Sequence, residues 1–140
     1  MISLRESKPA KTKAGKKDVQ FEIRFFEGIA RRDPDYIEAL QILGDAYTKT
    51  GQWEKGLLVD ERLARLCPDS PLVFYNLACS YSLLKRVEEA FAALDHAVKL
   101  GYDDARWLNK DPDLDNIRED SRFETIRRGL AGNHDRTSRE

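Results

Sequence analysis

Residues Ile37 to Ser70 superimpose on Pro71 to Asp104 at an offset of 34 positions, and this internal repeat constrains the fold more than any other feature. Leu40 falls on Phe74, Leu43 on Leu77, Gly44 on Ala78, Tyr47 on Tyr81, Gly56 on Ala90 and Leu66 on Leu100. Large and small side chains thus recur at matching places along two successive helices. Such a unit cannot cover its apolar face alone. Neighbouring units stack to bury a continuous seam and leave one side free as a surface for other molecules.

Start and stop signals divide the chain around this repeat. Val19, Ile23, Phe26 and Ala30 recur at helical intervals, with Phe25 and Ile29 widening the stripe, which predicts a helix over 18–32. Asp33, Pro34 and Asp35 interrupt it and supply a cap for a helix from Tyr36 to Thr50. Gly51 suits the left-handed position that ends a helix, because it has no Cβ to strain there. A returning helix spans Trp53 to Leu66, and Ser70 followed by Pro71 starts the next, which continues to Leu84. Lys85 and Arg86 stand where the first unit has Gly51 and Gln52, so that turn is tighter or strained. Val87 to Leu100 forms the fourth full helix, closed by Gly101.

A third unit begins in register at Ala105 and breaks at Asp111 and Pro112, because proline removes a helical hydrogen bond and collides with the preceding turn. A full third hairpin is excluded. Ser121 and Glu124 have capping-box spacing, and Phe123, Ile126 and Leu130 make one apolar edge, predicting a closing helix. The expected organisation is a disordered basic tail over 1–17, a folded unit over 18–130 and a disordered tail over 131–140. Within the folded unit, 18–33 is a capping helix, 37–70 and 71–104 are the repeats, and 105–130 is an atypical cap.

These places resemble the tetratricopeptide repeat (TPR) family, over about half the chain. Leu40, Leu43, Gly44, Tyr47, Gly56 and Pro68 match its pattern in one repeat, and Phe74, Leu77, Ala78, Tyr81, Ala90 and Ala97 in the next. Tyr102 replaces the usual proline, Leu63 fills a usually small place, and Asp60 occupies a place that is usually apolar. The stretch DPDLDNIREDSRF resembles a terminating segment of small bacterial TPR proteins. The resemblance implies an all-α fold, an α-α superhelix or short TPR solenoid of two full helix-turn-helix repeats plus half-repeat caps. It implies a concave wall made by Glu38, Gln41, Ile42, Asp45, Thr48 and Lys49, then by Leu72, Tyr75, Asn76, Cys79, Ser82 and Leu83, extended by Arg106, Asn109 and Lys110. Tyr75 and Asn76 are the expected anchors, one giving rigid contact area and the other both donor and acceptor.

The function so implied is a non-catalytic protein–protein interaction module, a scaffold or adaptor that takes a peptide or partner surface in its groove. The alternative is a self-assembling homo-oligomer, a dimer made through Leu72 and Leu83 or through an imperfect cap. Asn76, Arg106 and Lys110 would suit the carboxylate clamp of chaperone-binding members, whereas Gln41 and Asp45 would not. Asp60 is expected to find a structural partner in an arginine or a tyrosine hydroxyl, or else to turn outward, because an unpaired buried carboxylate is costly.

Composition narrows the remaining classes. At 140 residues, with 41% hydrophobic and 35% charged residues, the chain has the balance of one globular domain. Arg5, Lys8, Lys11, Lys13, Lys16 and Lys17 face only Glu6 within residues 1–17, while the rest carries 18 basic and 24 acidic residues. That tail lacks aromatics and helical period, which favours a solvated leader over a nucleic-acid arm. No run reaches the 18 or so apolar residues a membrane span needs, and there is no secretory leader, so the expected location is cytoplasmic. Cys67 and Cys79 read as reduced thiols, and His96 and His134 show no pairing with them. With no phosphate-binding glycine loop, zinc pattern or nucleophile elbow, neither catalysis nor a cofactor or metal is expected.

Overall fold

The computed structural model describes the backbone of residues 16–139 and the side chains of 18–132. Seven α-helices and one 3-10 helix follow in order: α1 Lys16–Arg32, α2 Ile37–Lys49, α3 Trp53–Leu66, α4 Pro71–Leu83, α5 Val87–Lys99, α6 Ala105–Lys110, the 3-10 helix Pro112–Ile117, and α7 Ser121–Arg139. No strand occurs among the described residues. The helices form two stacked hairpins, α2–α3 and α4–α5, with α1 packed on α2 at one end. The all-α superhelical repeat is therefore the observed architecture.

Each hairpin closes where the sequence places small residues. A Cβ on Gly56 would make ordinary contact with the side chains of Tyr47 at 3.6 Å and Thr48 at 3.5 Å, so a small residue, glycine here and Ala90 in the next repeat, suits the close approach of α3 to α2. Three helix ends then stop by one device, the Schellman turn. Gly51 N–H donates to the Thr48 carbonyl at 3.2 Å and Gln52 N–H to Tyr47 at 2.8 Å. Lys85 and Arg86 repeat this on Ser82 and Tyr81, both at 2.9 Å, and Gly101 and Tyr102 on Val98 and Ala97 at 3.0 and 2.9 Å. The φ angles are 75° at Gly51, 116° at Gly101 and 61° at Lys85. Lys85 is thus a side-chain-bearing residue held in the left-handed region, the strained form of the turn anticipated from sequence.

Ser70 caps α4 as its position suggests, its Oγ accepting the Val73 N–H at 3.3 Å. Two other caps differ from expectation. The N-cap of α2 is Tyr36, with no side-chain bond, and Asp33 instead accepts the Asp35 N–H at 3.3 Å. At α7 no capping box forms: Asp120 Oδ1 accepts the Arg122 N–H at 2.9 Å, and Glu124 turns to Arg127 and Arg128. Helix α7 also continues to Arg139, over the stretch expected to fray. Residues 1–15 of the basic tail lie outside the described residues.

The stacking seam runs the length of the array. Leu43, Ala46 and Tyr47 receive Ile23, Val19, Phe26 and Ala30 from α1, and the largest cluster joins Tyr75, Leu77, Phe91 and Leu94 to Leu108, Leu114, Ile117, Phe123 and Leu130. Phe25, expected to widen the inner stripe of α1, is instead 54% exposed.

Polar bonds repeat with the helices. The Tyr47 hydroxyl donates to Glu27, and 34 positions later the Tyr81 hydroxyl donates to Glu61 at 3.1 Å. Burial first, then the bonded carboxylate, pushes both phenols above their ordinary pKa, so both remain donors. Asp60 is 2% exposed and accepts the Ser80 hydroxyl, so its structural partner is a serine of the next hairpin. At the corresponding place of the preceding junction, Phe26 and Ala46 pack as an apolar pair.

Candidate partner-binding surface

The wall expected along the first helix of each hairpin divides into an open half and a filled half. On α2, Gln41, Ile42, Asp45 and Thr48 are half-buried and Glu38 and Lys49 are exposed. Lys49 Nζ lies 2.7 Å from Asp45 Oδ2, while Asp45 Oδ1 is enclosed and receives no donor among the described residues. Thr48 is turned toward the helix itself, its hydroxyl donating to the Gly44 carbonyl at 2.9 Å. Leu72, Asn76 and Leu83 on α4 are half-buried.

On α4 the corresponding stripe is covered by the chain itself. Tyr75, Cys79 and Ser82 are all 0% exposed, because the 3-10 helix Pro112–Ile117 packs along them. This corrects their assignment to a partner surface, and Tyr75 is a core residue in place of an anchor. Its ring stacks on Tyr102 with centroids 4.3 Å apart and an interplanar angle of 7°. Its hydroxyl donates to Asp111 Oδ2 at 2.6 Å. Burial foremost, then the nearby Cys79, Asp111 and Tyr102 groups, drives the Tyr75 phenol far above its usual range, so it stays protonated as a donor.

Asp111 is the residue that places the segment. It is 1% exposed, and its carboxylate takes the Tyr75 hydroxyl, the Cys79 thiol at 3.6 Å and the Asp113 N–H at 3.0 Å. The last of these makes it the N-cap of the 3-10 helix, with Pro112 at the first turn where a missing N–H costs nothing. Asn116 Nδ2 then donates to the Ser82 carbonyl at 2.9 Å. Arg118 ties the far end by donating to the carbonyls of Asn109 at 2.7 Å and Asp111 at 2.6 Å, with its guanidinium 5.1 Å from the Phe123 ring centroid. Arg122 lies over Phe91 at 4.5 Å and pairs with Glu88 at 2.9 Å.

Cys79, Asp111 and Asp113 bring three ligand-type atoms within 4.8 Å of one another. The hydrogen bonds just described account for Asp111 and make this a structural lock. Arg106, Asn109 and Lys110 are exposed on α6, a helix of six residues that precedes the segment packed on α4. Neither Asp111 nor the covering segment was recognised from sequence as a wall element. The available signal was Asp111 followed by Pro112, a polar cap placed next to a residue that fixes its own φ.

Hairpins in series, joined by polar bonds at a 34-residue offset, define a TPR-like helical repeat fold. No family model matches the chain. It is similar to the crystal structure of MamA, a TPR-like protein, at a TM-score of 0.61 and 21% identity, covering 81% of this chain and 71% of that one. In sequence it is 33% identical over 100 residues to a chloroplastic protein of Arabidopsis thaliana. That match takes in 69% of this chain and spans 28% of the length of the relative. Among the described residues no helix is long and apolar enough to cross a membrane.

Proposed function

We propose that the chain is a non-catalytic protein-interaction module whose partner surface is the open half of the wall: Glu38, Gln41, Ile42 and Asp45 of α2, with Leu72 and Asn76 of α4. The observation that carries this is the chain's own segment on α4. There, a short irregular stretch lies along the inner stripe, anchored by one buried polar group and two aliphatic side chains, Leu114 and Ile117. The same stripe one repeat earlier carries Gln41 at the place of Tyr75 and, at the place of the Cys79 thiol, Asp45 with an enclosed carboxylate oxygen.

The exchange of a donor for an acceptor reverses the preferred ligand. With Glu38 and Asp45 on the wall, the partner supplies donors: an extended segment carrying a lysine, an arginine or an amide next to an aliphatic residue. A terminal carboxylate meets repulsion there, which disfavours the chaperone-type clamp. Non-catalytic action is supported by the lock itself, because its thiol and its most buried carboxylate are already engaged with each other and with Tyr75.

Selection from a displayed peptide library tests the proposal. Enriched peptides should carry a basic residue, and Asp45→Ala or Asn76→Ala should weaken them by about tenfold or more, the scale of one hydrogen bond to a charged group. Leu58→Ser on the exposed outer side of α3 should leave binding unchanged. Enriched peptides that are acidic, or that bind the Asp45→Ala protein equally well, would refute it.

A further inference from the structure

Helix α1 buries Val19, Ile23, Phe26 and Ala30 against α2 yet carries a second apolar face. Phe21 is 64% and Phe25 54% exposed, their rings stacked with centroids 6.3 Å apart. The repeat explains the position of this face. The residues 34 places later, Lys55 and Val59, lie against α2, the helix that precedes α3 in its hairpin: Lys55 Nζ is 5.8 Å from the Tyr47 ring centroid, and Val59 Cγ1 is 3.5 Å from where a Cβ on Gly44 would sit. Helix α1 has no such preceding helix among the described residues, so Phe25 lacks the cover that Val59 receives, and Phe21 stands where α3 carries the exposed Lys55.

We infer that this face docks a second copy of the chain, α1 against α1 in antiparallel orientation. Asp18, Phe21, Phe25, Gly28 and Arg32 follow at alternating steps of three and four, the spacing of a coiled-coil seam. The seam is complementary to its own reverse. A two-fold axis beside Phe25 brings the two Phe25 rings together and sets each Phe21 over Gly28 of the second copy. An added Cβ on Gly28 would meet only Arg31 Nη2, at 3.9 Å, so a ring finds room there. The same axis sets the exposed Asp18 and Glu22 of each helix beside the exposed Arg32 of the other. An isologous contact needs this self-matching pattern of charge and shape. The surface differs from the α2 wall, and the inference stands independently of the proposed function. One helix face per copy is at the small end of specific interfaces, below about 1,200 Å² in total, the class of weak and transient contacts.

Sedimentation velocity on the full chain, from low micromolar to near-millimolar concentration, tests this. The wild type should pass from monomer to dimer, and Phe25→Ser should raise the midpoint by about tenfold or more, with its helical circular dichroism unchanged. Asp18→Arg alone and Arg32→Asp alone should each weaken the dimer in the same way. The chain carrying both substitutions should recover it, an outcome that a parallel pairing or simple apolar adhesion does not produce. A wild type that stays monomeric overturns the inference, including one that sediments with anionic vesicles instead. Self-association that survives Phe25→Ser, or a double variant no better than the singles, overturns it equally.

Discussion

Replacing Asp111 with alanine should release the segment that fills the inner face of α4. The side chain is 1% exposed and accepts from the Tyr75 hydroxyl, the Cys79 thiol and the Asp113 amide. Loss of the N-cap costs about 1 kcal/mol. The Tyr75 hydroxyl, 0% exposed, is then left without its acceptor, at about 1–3 kcal/mol. Together the two effects of the one carboxylate come to about 2–4 kcal/mol, a large part of the roughly 5–15 kcal/mol typical of a domain. Tyr75→Phe removes the orphaned donor, so the double variant should be less damaged than the two singles added together, with a coupling on the order of 1.5–3 kcal/mol. Urea denaturation followed by circular dichroism gives all four corners of the cycle. Thiol labelling in a Cys67→Ser background reports the release directly, because Cys79 is 0% exposed and should react faster once Asp111 is gone. Strict additivity, or an Asp111→Ala protein within about 0.5 kcal/mol of wild type, would show that the carboxylate does not hold the segment.

Two further outcomes follow from the helix ends. Lys85→Gly should stabilise the protein by about 0.5–1 kcal/mol, since the residue is exposed at φ 61° and glycine relieves the left-handed strain while adding some unfolded-state freedom; a thermal melt showing no gain would contradict this. At the start of α7, the bond from Arg122 holds the Asp120 carboxyl down at about 2, and Arg127 does the same for Glu124. Both folded-state values lie below the ordinary carboxylate range, so this support is complete above about pH 4 and fades as the pH falls toward 2. Asp120→Asn should therefore lower the melting temperature at neutral pH and leave it nearly unchanged at pH 2, with a difference that persists in acid counting against the ion pair.

The parts of the fold that were readable in the sequence are those governed by the 34-residue period. Pro71 at the start of α4, Trp53 at the start of α3 and the glycine turns fall where the spacing places them, because local signals and the periodic apolar face agree there. The Asp60 exception also obeys the period once residues 20 apart are compared. Asp60 with Ser80 replaces Phe26 with Ala46, a polar pair for an apolar pair at the same junction. Glu27 with Tyr47 and Glu61 with Tyr81 recur in the same frame. What could not be read was the fate of the chain after Lys110, since no period constrains a six-residue 3-10 helix and its position depends on side chains distant in sequence. The wall on α4 was misjudged for that reason: its stripe is polar enough to look like a surface, and only the returning segment makes it interior.

That filled stripe also gives the second hairpin a neighbour on its far side. A unit in a solenoid needs neighbours on both sides, and about three repeats are normally required. Here α1 supplies a neighbour on one side, and Leu108, Leu114, Ile117, Phe123 and Leu130 supply one on the other, all within the main apolar cluster. Leu114 and Ile117 are 0% and 1% exposed, so each contributes on the order of 1.5–3 kcal/mol, as much as a core residue of a regular repeat. The cap gains this burial by occupying half of the inner wall. On the proposed reading, the cap takes the inner face of α4 and leaves that of α2 to a partner, which would approach from the N-terminal half of the array.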